Sequence, residues 1–125
     1  MEGGAPRPGR DESFPKALRL TRRAQFLEVQ GKGAKVTVEP LLALALPNTV
    51  GFTRLGLTVS TKVGNAVIRA RIRRRLRELF RKRRHELPAG VDLVLIARGS
   101  AATADFQRLS RSFDGLVAKL KRTFP

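Results

Sequence analysis

Between Arg69 and Arg84, ten of sixteen residues are Arg or Lys and only Glu78 is acidic. At 100° per residue the block still forms one amphipathic helix, because Ile68, Ile72, Leu76, Leu79 and Phe80 fall within about a third of the circle. Arg71, Arg74, Arg77 and Arg81 take the opposite side, with Arg73, Arg75 and Lys82 beside them. A helix selected for stability alone would mix signs on its wet face, since like charges at i,i+4 repel. It would also keep cations out of its first turn, where the dipole is positive. Arg69 and Arg71 sit there regardless. The pattern is that of a surface for a polyanion.

At 125 residues and a net charge of +16, the chain has room for one modest hydrophobic core and a strong bias toward anionic partners. Membrane binding would call for large apolar and aromatic residues opposite the basic face, whereas this stripe has the size of an ordinary core stripe. Nucleic acid is the better partner. No apolar run reaches 18 residues, so no membrane span is expected. The N-terminal MEGGAPRPGRDES lacks a signal-type hydrophobic stretch, and a cytoplasmic location is expected.

Residues 1–15 are rich in Gly, Pro and charge and are expected to be a disordered tail ahead of a single domain over 16–125. Thr21 is placed to cap a short helix carrying Phe26 and Val29 on one face and ending at Gly31-Lys32-Gly33. Strands are expected over Lys35–Glu39, broken by Pro40, and over Leu41–Leu46, Arg54–Ser60 and Val91–Ala97. The third has Leu55, Leu57 and Val59 inward. Its other face carries Arg54, Gly56, Thr58 and Ser60, which reads either as an open floor or as a plain solvated face. Asn65 is a good N-cap for the basic helix, and Pro88-Ala89-Gly90 closes it. Phe106, Leu109, Phe113, Leu116, Val117 and Leu120 make the core stripe of a last helix. The order is α-β-β-β-α-β-α, an α+β two-layer sandwich on a four-stranded sheet.

Catalytic groups are scarce. There is no cysteine, and the one histidine, His85, lies among Lys82, Arg83 and Arg84 with no Asp beside it to orient it. No phosphate-binding Gly-rich loop, HExxH pair or nucleophile elbow occurs, and the ten carboxylates are scattered, forming no metal cluster. Asp92, Asp105 and Asp114 read as capping or solvated groups. Neither a catalytic residue nor a metal ligand is assigned.

Residues 54–78, RLGLTVSTKVGNAVIRARIRRRLRE, closely resemble the protein subunit of bacterial ribonuclease P. That family's signature runs R-x-G-[LI]-x-[VS]-S, then K-x-G-N-A-V, then R-N-R-x-[KR]-R-x-x-R-E. Arg54, Gly56, Leu57, Ser60, Lys62, Gly64, Asn65, Ala66, Val67, Arg69, Arg71, Arg73, Arg74, Arg77 and Glu78 fall on it. Arg19-Leu20 followed by Phe26 resembles the family's opening, and the likeness extends over residues 18–121. Ala70 departs from the usual Asn of R-N-R, and Gln30 stands where many members place a second aromatic.

The resemblance implies a left-handed β-α-β crossover around the basic helix, a topology shared with the second domain of a small-subunit ribosomal protein; chain sterics alone favour the right-handed form. It implies a holoenzyme in which a large RNA with bound Mg2+ removes the 5′ leader of precursor tRNA, the protein binding no cofactor of its own. It assigns RNA binding to Lys62, Asn65, Arg69, Arg71, Arg73, Arg74 and Arg77. A leader cleft between the first helix and the sheet would be formed by Phe26, Val29, Arg54, Thr58 and Ser60. The expected partners are the ribonuclease P RNA, as a one-to-one complex with a monomer, and the precursor leader. A ribosomal or other structural RNA-binding protein is the runner-up, separated by the Lys62–Glu78 signature. A DNA-binding factor would need a helix-turn-helix partner before Asn65, where strand pattern and a Gly stand instead.

Overall fold

A computed structural model describes residues 16–125; the expected disordered tail lies outside them. The elements are α1 (Arg23–Lys32), β1 (Ala34–Val38), β2 (Leu41–Pro47), β3 (Arg54–Val59), α2 (Ala66–Arg83), β4 (Val91–Ala97) and α3 (Phe106–Thr123). The sheet order is β1-β2-β4-β3, with β3 parallel to β4 and the other pairs antiparallel. α2 joins the two parallel strands, as the α-β-β-β-α-β-α order requires.

Strand alternation sorts the sheet into two faces. Ala43, Leu95 and Leu57 lie in register on one, as do Leu41, Ala97 and Val59. These rows pack with Ile72, Leu76, Leu79 and Phe80 of α2 and with Leu109, Phe113, Leu116 and Leu120 of α3 to form the main core. Phe106 is 40 % exposed rather than part of that stripe, because it sits in the first turn, beyond the cover of the sheet. On the other face, Leu44 and Val94 pack with Leu20 and Val29 in a smaller cluster that seats α1.

At the start of α1 the structure departs from expectation. Thr21 is not the cap. The Gln25 side chain reaches back instead, its Oε1 accepting from the backbone N–H groups of Thr21 and Arg22, both at 3.0 Å. Asn65 does cap α2, its Oδ1 accepting from Ile68 N at 3.0 Å. The preceding Gly64 holds φ +150°, which a side chain would resist, and so turns the chain into the helix.

Asp92 also differs from its expected solvated state. It is 9 % exposed, accepts from Arg54 Nε and Nη2 at 2.8 Å each, and accepts from Asn48 Nδ2 at 2.8 Å. β3 lies in register with β4 here, which puts Arg54 directly beside Asp92 on the sheet. Removing one partner of a largely desolvated, bidentate pair strands the other. Asp92→Ala is expected to lower unfolding stability by about 2–4 kcal/mol with an unchanged m-value, as read by urea denaturation.

Candidate RNA interface

Along α2 the cations divide into two groups. One group is engaged within the protein. Arg81 and Lys82 pair with Glu78 at 2.7 and 3.3 Å. Arg83 pairs with Glu86 and Asp114 and lies 5.0 Å from the Phe113 ring centroid. Arg75 donates to the Ala104 carbonyl at 3.3 Å. Asp114 stays exposed, as expected, and adds an ion pair to Arg83, while Asp105 caps α3 through Arg108 N.

These pairs have a pH signature. Hydrogen bonding from Arg83 pulls Glu86 below the usual carboxylate range, and hydrogen bonds from Arg81 and then Lys82 do the same for Glu78. A depressed folded-state pKa stabilises the fold above the unfolded value, and that contribution is lost as pH falls through the folded value.

The second group lacks such partners. Among the described residues no carboxylate pairs with Arg71, Arg73, Arg74 or Arg77. Arg71, Arg74 and Arg77 are exposed, as are Lys62 and Asn65, while Arg73 is half-buried. Arg69 is partly spent on structure, its Nε donating to the Gly64 carbonyl at 3.1 Å. Guanidinium forks without carboxylate partners suit phosphate oxygens.

Beside this face lie two clefts that share the Phe26 ring as a wall. One, of about 200 Å³, opens at the β3 edge between Leu20, Phe26, Leu57, Arg73 and Arg77. The other, of about 380 Å³, lies between α1 and the sheet, against Thr21, Phe26, Leu27, Gln30 and Thr58. Beyond α1 the floor is the row Leu42–Ile96–Thr58, all half-buried. It is more apolar than the small residues of β3 alone foretell, because β2 and β4 contribute Leu42 and Ile96.

Of the expected cleft residues, Phe26 and Thr58 are brought together. Val29 is not part of the surface; at 1 % exposure it is buried beneath α1 and anchors the helix. Arg54 is held by Asp92 at the other end of β3 from Thr58. Ser60 is half-buried and its Oγ accepts from Lys62 N at 3.1 Å, so it caps the turn leading toward α2. Leu20, Leu27 and Leu57 line the clefts and were missed by sequence reasoning.

The Phe26 ring can lie on β3 because residue 56 is glycine. A Cβ there would come within 2.6 Å of the ring. Gly56→Val is therefore expected to push Phe26 off the floor and change the shape of both clefts. An altered Phe26 ring resonance by NMR, with the fold retained, checks it.

The family model for Ribonuclease P matches residues 14–121, nearly the whole chain. The chain belongs to the ribonuclease P protein family. The ribonuclease P protein component of Citrifermentans bemidjiense is 38 % identical over 112 residues, covering 90 % of this chain and 96 % of that one. That of Gluconacetobacter diazotrophicus is 46 % identical over 110 residues, covering 86 % and 89 %. The solved Staphylococcus aureus RNase P protein superposes with a TM-score of 0.76 at 30 % identity, covering 88 % of this chain and all of that one. Ribonuclease P is an endoribonuclease, and a member of this family is its protein component, which associates with the ribonuclease P RNA. The ribosomal and DNA-binding readings are set aside. Among the described residues no helix is long and apolar enough to cross a membrane, and no group of three or more His, Cys, Asp or Glu could hold a metal.

Proposed function

We propose that this chain binds the ribonuclease P RNA through Lys62, Asn65, Arg71 and Arg74 and holds the 5′ leader of precursor tRNA against Phe26 and Thr58. Arg73 and Arg77 line the junction between the two surfaces. The observation that carries this reading is the run of arginines without carboxylate partners opening directly onto an aromatic-walled cleft. Phosphates of one RNA and unpaired bases of another can then be held side by side. Mg2+ bound to the RNA subunit supplies the activated water for phosphodiester hydrolysis. The protein's own residues bind and orient. We place this work in the cytoplasm, with one protein monomer per RNA.

The test is the ratio of affinities for precursor and mature tRNA, measured with a bacterial ribonuclease P RNA alone and with the chain added. The chain should raise the preference for precursor, since mature tRNA has no leader to occupy the cleft. A ratio unchanged by the protein would contradict the leader-binding role.

A further inference from the structure

The flank of α2 that overhangs the β3 edge carries Arg73 and Arg77, and continues through the turn after the helix to Arg84. Arg84 lines a third cavity, of about 310 Å³, with Leu18, Phe52, His85 and Leu87. Among the described residues no carboxylate lines it. Its position relative to the first cleft follows from the topology: β3 runs from Thr53 toward Leu57 while α2 returns from Arg77 toward Arg84. The separation is about 13 Å along the strand and about 10 Å along the helix. An extended nucleic-acid strand leaving the Phe26 cleft covers that distance in a few nucleotides.

Two features equip the cavity for a nucleotide. Phe52 is 41 % exposed although its loop is fixed. Asn48 donates to the Phe52 carbonyl at 2.9 Å and accepts from Val50 N at 3.1 Å, and Thr53 Oγ1 donates to the Pro88 carbonyl. An aromatic ring on a pinned backbone, left partly in solvent, is a ready stacking surface. Arg84, in turn, has a buried Nη1 with no hydrogen-bond partner among the described residues, whereas the neighbouring Arg83 has two carboxylates. An anion at the accessible part of this guanidinium supplies the charge partner that Arg84 lacks among them.

We propose that this cavity is a second subsite for the leader, with a base stacked on Phe52 and its phosphate at Arg84. The proposal rests on the leader-cleft reading above. It is tested with reconstituted holoenzyme and precursor tRNAs carrying a graded series of leader lengths. Wild type should gain affinity as the leader outgrows the Phe26 cleft. Phe52→Ala and Arg84→Gln should each remove about tenfold of that gain, within the range for one stacked base or one charged contact. Short-leader affinity, RNA-subunit assembly and melting temperature should stay unchanged, and Phe52→Tyr should restore the gain.

A length-dependent gain that survives in both variants overturns the subsite, even where Phe26→Ala weakens short and long leaders alike. Weakened assembly with the RNA subunit in Phe52→Ala overturns it too, by assigning the pocket to that RNA. Absence of any leader-dependent affinity, with Phe26→Ala silent, overturns the cleft reading and the subsite together.

Discussion

Phe26→Ala should lower holoenzyme affinity for precursor tRNA by about one to two powers of ten while leaving mature tRNA almost unaffected. A base stacked on an aromatic ring contributes about 1–3 kcal/mol, and Phe26 forms the wall common to both clefts. The ring is only half-buried, and the cluster beneath α1 is built on Leu20, Val29, Leu44 and Val94. A modest fall in melting temperature is therefore expected beside the loss of precursor preference. Val29→Ala should invert that balance, since its side chain is fully covered: stability falls by about 1–2 kcal/mol, and precursor preference persists in the folded fraction. If Phe26→Ala keeps its full preference for precursor, the clefts lose their stacking residue and the leader lies elsewhere.

Replacing Lys62, Arg71 and Arg74 together by Ala should weaken assembly with the ribonuclease P RNA about a hundredfold at physiological salt. The three side chains are exposed, and no carboxylate among the described residues pairs with them. Each lost phosphate contact should flatten the log K against log salt slope by roughly 0.7–0.9, so the triple variant should lose about 2–3 units of slope. Lys119, Lys121 and Arg122 on α3 are equally exposed and remove the same charge when replaced. Their triple variant should change far less. Equal effects would reduce the interface to diffuse attraction by net charge.

Local signals in the sequence carried much of this structure. Asn65 caps α2 because its side chain needs only Ile68 N, three residues on. The apolar stripe of α2 became core because a helix buries whatever repeats at its own period. Thr21 misled because the cap competition was decided by Gln25, whose longer side chain satisfies two backbone N–H groups at once. Phe26 and Val29 share a face of α1, and periodicity cannot say which of them sits over Val94 and which over Gly56. Only the sheet register decides it. Arg54 and Asp92 stand 38 residues apart, so their pairing follows from the parallel alignment of β3 and β4 and from nothing local. The split among the arginines of α2 is non-local too: Asp114 of α3 and the Ala104 carbonyl remove Arg83 and Arg75 from the interface, and neither is adjacent in sequence.

We propose that this chain contributes binding to ribonuclease P and no catalytic group. His85 illustrates it: its side chain is 75 % exposed, and the one carboxylate paired with it among the described residues is Glu86, at 4.0 Å. The most direct measurement is single-turnover 5′ cleavage of precursor tRNA by a bacterial ribonuclease P RNA at low Mg2+, with and without the purified chain. The RNA should be slow alone and fast with the chain, the chain alone should be inert, and His85→Ala should match wild type. Cleavage by the protein in the absence of RNA would contradict the account. So would a hundredfold fall in the His85→Ala rate with assembly intact.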